Sequence, residues 1–428
     1  MTEQGNVFAK CAWRLIPFMM LLYVVSFIDR TNVGFAALTM NEDLAFSPSV
    51  FGLGAGLFFI TYNVFQVPAT ILVRHFGARR AIFCIMLAWG LLAALNAFVR
   101  GPQSFFALRL LLGVAEAGFF PGMIFYLSLW FPQAYRGRFS GVFTAAIPLA
   151  GIIGGPLSGL ILGMDGVAGL HGWQWMFLLE GLPATLLAFA VLRFLPDGPT
   201  QATWLNDSEK SVVVTSLVPE AVIQDRGIWR TLTDSRVWAL GFAGFCNGCC
   251  VYGMAIWLPQ IIQSMGFSNR ATGFVAAVPY IAAMGAMIFW GRSSDARGER
   301  IWHIALAYLL VAVSFAGVYL IQTHAFVLLA LTAGVAGVYS AFGPYYSLPS
   351  SFLGSSAAAG GIAIINSIAS VSGLVAPLFI GIIKEQTGGY AASMAILATM
   401  EVMAALAILT LGRVLVQRPI AVVPPHTS

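Results

Sequence analysis

Twelve stretches of about 20 apolar residues, separated by short polar turns, leave this chain very few ways to fold. They run near 15–38, 50–73, 81–99, 104–130, 139–162, 175–194, 237–262, 271–291, 301–321, 326–349, 361–383 and 391–412. A bilayer core about 30 Å thick is crossed by roughly 20 residues of helix. No ten-residue alternation of the kind that builds a membrane barrel is evident. A helix satisfies its own backbone N–H and C=O groups without water, so it is the spanning element. Composition agrees: of 428 residues, 59% are hydrophobic and only 9% charged, too few polar side chains to cover a soluble globule. The expectation is an all-α membrane protein with twelve transmembrane helices.

The cationic residues predict which way the spans run. Residues 1–14 carry Glu3, Lys10 and Arg14 and lead straight into a full-length span, so no cleavable signal peptide is expected. Loops on the amino-terminal side hold 17 of the 22 Lys and Arg residues, against Arg100, Arg270 and Lys384 on the other side. This excess predicts that both termini are cytoplasmic. The formal net charge of +5 then reports topology, and no nucleic-acid partner is expected. The five cysteines fit no disulfide framework, and Cys246, Cys249 and Cys250 read as small hydrophobes within an apolar helix. No metal site is expected.

One long polar interruption divides the spans six and six. The predicted organisation is an amino-terminal six-helix bundle over 1–194, a cytoplasmic linker with short helices over 195–236, a carboxy-terminal bundle over 237–413 and a disordered tail over 414–428. Each half has a basic, glycine-containing connector between its second and third span, Arg74–Arg80 and Gly291–Arg300, which implies an internal repeat and two pseudo-symmetric bundles. Gly151, Gly155 and Gly159 form a small-xxx-small series suited to close helix packing. Prolines 121, 148, 156, 259, 279, 344, 349 and 377 mark helices able to bend or break.

Against this apolar background, Asp29-Arg30 in FIDRTNVGF and Arg109 with Glu116 in LRLLLGVAEAGFF stand out. A charge near the middle of a bilayer costs about 2.5–3.5 kcal/mol, so four of them in two spans need partners, water or a task. Arg109 and Glu116 are two turns apart and share a stripe, whereas neighbouring Asp29 and Arg30 diverge by about 100°. With both acids ionised the four charges cancel. Protonating the acids frees the guanidinium groups to grip a substrate carboxylate, which would link proton uptake to anion uptake. A pair of structural ion pairs is the alternative. Tyr62 adds a hydroxyl at a plausible depth. Glu180 reads as an interfacial or capping group, Glu401 has no evident partner, and the five histidines fall in loops or at span ends.

The second connector has the form Gly291-x-x-x-Asp295-x-x-Gly298-x-Arg300 and resembles the connector signature of the major facilitator superfamily. That resemblance implies a latch between Asp295 and Arg300. In the first connector Arg74 replaces the usual acid. FIDRTNVGFAALTM, LRLLLGVAEAGFFPGMIFYLSLWFP, AAIPLAGIIGGPLSG and GWQWMFLLEGLPA are similar to the anion:cation symporter family of that superfamily, whose bacterial tartrate-transporter branch they resemble most. The resemblance implies that Asp29 and Glu116 carry protons and that Arg30, Tyr62, Arg109 and Asn366 bind the substrate anion. Asn247, Tyr252 and Gln260 are further candidates for lining residues.

These readings predict a monomeric secondary transporter of the bacterial inner membrane that moves a small hydroxylated organic anion into the cytoplasm with protons by alternating access. The proton is the coupling ion and no cofactor is expected. The alternative is a proton-coupled exporter of drugs or metabolites. An enzyme is disfavoured because no nucleophile–base pairing or metal cluster lies in the spans, and a channel because no filter-like repeat is present.

Overall fold

The computed structural model of the chain describes residues 3–217, 233–349, 352–353 and 355–417. Among these, twelve helices are long and apolar enough to cross a membrane, numbered here as spans 1 to 12: Gly5–Asp43, Pro48–Phe76, Ala78–Phe98, Pro102–Ser128, Phe143–Leu162, Gly172–Phe194, Ser235–Gln263, Asn269–Arg297, Ile301–Leu320, His324–Ser347, Gly361–Thr387 and Ala391–Leu415. Each apolar stretch of the sequence becomes one of them. The fold is that of a twelve-span all-α membrane protein.

Local chemistry sets the helix ends and breaks. Span 2 starts at Pro48 behind Ser47, whose hydroxyl accepts the N–H of Val50 at 3.3 Å. Span 4 is two helices, Pro102–Glu116 and Phe119–Ser128, interrupted ahead of Pro121. Span 10 breaks between Ser340 and Phe342, ahead of Pro344. Pro148, Pro156, Pro259, Pro279 and Pro377 lie inside helices. Both connectors turn on a glycine of positive φ, Gly77 at 84° and Gly298 at 62°, a backbone conformation that glycine adopts without a Cβ penalty.

The chain forms two compact units. The first comprises Met1–Ala221, Tyr252–Ile281 and Gly373–Tyr390, the second Val222–Val251, Ala282–Ser372 and Ala391–Ser428. In the first, spans 5 and 8 meet backbone to backbone. A Cβ on Gly273 would sit 2.4 Å from the carbonyl oxygen of Gly155, and one on Gly155 2.7 Å from that of Gly273. The small-residue series thus serves packing, at the end of the spans away from the amino terminus. The Ser49 N–H also donates to Glu385 at 3.1 Å there.

In the linker, the helix Asp207–Ser216 is held by a reciprocal cap between Asn206 and Glu209 and by an ion pair from Glu209 to Lys10 of 2.8 Å. Residues 218–232 of the expected linker lie outside the described residues. The last helix continues to Gln417, so the predicted tail begins within it, and its remainder from 418 also lies outside the described residues.

Candidate functional site

The charges of spans 1 and 4 converge in the first unit. Along Pro102–Glu116 the buried residues are Phe105, Arg109, Leu112, Gly113 and Glu116, one stripe at helical spacing, so Arg109 and Glu116 face the same way. Asp29 and Arg30 diverge as adjacent helical residues must. Arg30 reaches span 4, where its Nη2 meets the Glu116 Oε1 at 2.5 Å. Asp29 turns to span 3 and accepts from the Trp89 indole N–H at 2.6 Å, and from the Asn32 amide at 3.2 Å.

Glu116 is fully buried and also accepts from the Ser26 hydroxyl at 2.7 Å. Its other oxygen, Oε2, has no partner. Aromatic faces hold the two cations. Arg30 lies 4.9 Å from the Tyr62 ring centroid, 5.0 Å from Phe27 and 5.4 Å from Phe58, while Arg109 lies 5.1 Å from the same Phe58 ring. Phe58 therefore serves both guanidinium groups, and Tyr62 stacks on it at 5.5 Å.

Arg109 differs from Arg30 in one respect that matters chemically. It is 1% exposed, its Nη2 makes only a long contact of 3.5 Å to the Ala55 carbonyl, and its Nε has no partner. It forms no ion pair among the described residues. A buried charge normally comes paired and fully hydrogen-bonded. A guanidinium left open in this way has the geometry to accept a planar anion.

The remaining predicted residues fall elsewhere. Asn366 belongs to the second unit, where it is exposed on the helix Ser355–Ser370. Asp295 and Arg300, also in the second unit, pair at 2.6 Å. Arg300 Nη1 additionally donates to Ser294 at 2.7 Å, so the signature residues make the contact the resemblance implies. Beside them Glu299 caps span 9, accepting the N–H groups of Trp302 and His303 at 2.7 and 3.1 Å and touching the His303 ring at 2.8 Å. Partial burial works against the charge of Glu299, but these donors outweigh it and hold the carboxyl below its usual range. Asn247 is buried and reaches the Val338 carbonyl at 3.5 Å, Gln260 is buried, and Tyr252 packs on Phe59 at 4.4 Å.

Two acids differ from, or add to, their sequence reading. Glu180 is neither interfacial nor capping. It is 4% exposed and accepts from Ser158 at 2.7 Å. Its position eight residues into span 6 puts it well inside the bundle. Glu401 is fully buried beside Cys250, and neither of its oxygens has a regular hydrogen-bond partner. Sequence reasoning missed Ser26, Asn32 and Trp89. Ser26 and Asn32 were findable, since they lie within one turn of Asp29 and Arg30. Nothing in the span 3 sequence indicates that the Trp89 N–H faces an acid.

Twelve apolar spans, with a buried cluster of charges held by spans 1 to 4, define a multi-pass membrane carrier. The chain belongs to the Major Facilitator Superfamily, whose family model matches residues 19–377. It is 46% identical over 413 residues to a protein of Agrobacterium vitis provisionally named a tartrate transporter, covering 96% of this chain and 95% of that one. It is 39% identical over 399 residues to a quinolone resistance transporter of Acinetobacter baumannii, covering 92% of each. Among solved structures, a bacterial homologue of the human lysosomal transporter Spinster superposes with a TM-score of 0.80 at 15% identity, covering 97% of this chain and 99% of that chain. The protein is a membrane transporter of a small molecule and not an enzyme.

Proposed function

We propose that the protein imports a small hydroxylated carboxylate, of the tartrate or sugar-acid class, together with protons. The observation that carries this reading is the asymmetry between the two arginines. Arg30 is occupied by Glu116, whereas Arg109 is buried with no carboxylate partner among the described residues. In the empty carrier Arg109 awaits an anion, and Arg30 joins it when Glu116 takes a proton and lets go. Asp29, held by Trp89 and Asn32, is the second acid that exchanges protons. Asp295 and Arg300 act as a latch on the terminal side of the second half. Neither binding step is favourable alone: the anion without the proton leaves Arg30 engaged, and the proton without the anion leaves two bare guanidinium groups. The kinship with tartrate carriers supports a hydroxylated anion.

The experiment is transport in proteoliposomes, after a thermal-shift panel of hydroxy, sugar and aromatic acids selects a substrate. An inward-acid to outward-alkaline reversal of the pH gradient should reverse accumulation. Asp29→Asn should abolish gradient-driven uptake while substrate-for-substrate exchange partly survives. Gradient-driven uptake at the normal rate in that variant would sink the coupling assignment. The quinolone-resistance relative favours one other reading, a proton-coupled exporter. Quinolone binding with no response to any carboxylate in the same panel would establish that reading instead.

A further inference from the structure

Among the described residues of the first unit, three carboxylates are buried and two guanidinium groups lie among them to balance them. Asp29, Glu116 and Glu180 are 2%, 0% and 4% exposed, and the cations are Arg30 and Arg109. Arg30 takes Glu116, and Glu180 makes no ion pair among the described residues. Its one hydrogen bond comes from the neutral Ser158, and Oε2 has no regular partner. An isolated carboxylate in so dry a place is expensive, and the ordinary remedy is a proton.

Glu180 is not isolated from the transport site. Asn32 donates to Asp29 at 3.2 Å and lies within reach of Glu180, and among the described residues Asp29 is a charged neighbour of Glu180. The groups facing Glu180 are thus Ser158 of span 5 and Asn32 and Asp29 of span 1. Their depths form a series. At 1.5 Å per residue from the helix ends away from the amino terminus, Ser158 lies roughly 6 Å down, Glu180 roughly 12 Å, Asn32 roughly 16 Å and Asp29 roughly 21 Å. A polar file one side chain wide therefore descends through an otherwise apolar bundle to the acid that contacts Trp89.

We propose that Glu180 is a third proton-carrying acid of the transporter, which passes protons between the membrane face opposite the termini and Asp29 by way of Asn32. The inference rests on the reading of Asp29 as a coupling acid. Ser158 holds Glu180 by one oxygen and leaves the other free to take up and release the proton. The Asn32 amide donates to Asp29 and lies within donating reach of Glu180, so it couples the titration of the two carboxyls. With termini in the cytoplasm, Ser158, itself buried, stands at the end of this file nearer the side from which the driving protons come.

The test uses Glu180→Gln, which keeps an acceptor for Ser158 and fixes the site as uncharged. Infrared difference spectra of the purified full-length protein, recorded across pH without substrate, count the buried carboxyls that gain and lose protons. The variant should lose one titrating carboxyl band and alter the pH profile of the band that remains, because coupled acids titrate as a pair. In proteoliposomes its gradient-driven uptake should fall by about tenfold or more, while counterflow, which needs no net proton movement, stays within about twofold. Asn32→Leu should reproduce the transport defect with the Glu180 band still present. A variant with the same bands and the same pH profile of uptake as the parent overturns the proposal and leaves Glu180 a mere acceptor for Ser158. Loss of the band in a protein that shows no proton-driven uptake of any carboxylate would support the proton site while sinking the symport reading.

Discussion

Replacing Arg109 with lysine isolates the geometry of the guanidinium from its charge. Arg109 has 1% of its surface exposed, and its contacts are the face of Phe58 at 5.1 Å and a 3.5 Å approach to the Ala55 carbonyl. A planar fork can offer a substrate carboxylate two parallel N–H donors, whereas an ammonium presents a point charge. Losing one of two charge-assisted hydrogen bonds costs about 1.5–3 kcal/mol, which weakens binding by roughly 10- to 150-fold. Because Arg109 has no ion-pair partner among the described residues to abandon, the stability of the empty carrier should change little. The two effects separate in one assay. Calorimetric titration with a substrate drawn from the panel gives the dissociation constant, and thermal unfolding without substrate gives the stability. An affinity within about twofold of the parent would refute the assignment of Arg109 as the anion ligand. So would a loss that appears as instability of the empty protein, since that is the signature of a structural group.

Gly273→Leu places a side chain where even a Cβ would lie 2.4 Å from the Gly155 carbonyl oxygen. Overpacking of about 1–3 kcal/mol shifts a two-state population by roughly 5- to 150-fold, so uptake and counterflow should fall together in protein that still purifies as a single species. Normal rates would show that spans 5 and 8 never need this contact during the cycle. Glu209→Gln addresses the linker. The hydrogen bond from Lys10 holds the Glu209 carboxyl below its usual range. A depressed acid stabilises above its unfolded value and loses that contribution as pH falls through the folded one. The parent should therefore lose protection of the Asp207–Ser216 helix from protease on acidification, whereas the glutamine variant should cleave at a rate independent of pH over the same range.

The sequence states plainly where the membrane helices lie, because bilayer thickness imposes their length and lipid imposes their composition. The Arg109–Glu116 stripe is equally legible, since a helix repeats its faces every few residues. The choice of partners is not. Asp29 and Arg30 are one position apart, and the sequence says only that they diverge; that Arg30 pairs with Glu116 while Asp29 takes the Trp89 N–H depends on how spans 1, 3 and 4 pack. The apolar run by itself places Glu180 near a span end, because the helix begins ahead of that run. The structure begins span 6 at Gly172 and draws Glu180 inward. The glycine series predicted close packing without naming its partner, Gly273, which lies more than 100 residues away in sequence.

The central claim is that proton binding at Glu116 releases Arg30 for the substrate, and the pH dependence of affinity in Glu116→Gln tests it most directly. The parent should lose affinity as pH rises, with a limiting slope of about one decade per pH unit for each proton linked to binding. The amide cannot hold Arg30 as an ion pair, so the variant should bind with the parent's acid-side affinity and a slope smaller by one proton. A variant that keeps the parent's slope would contradict the account.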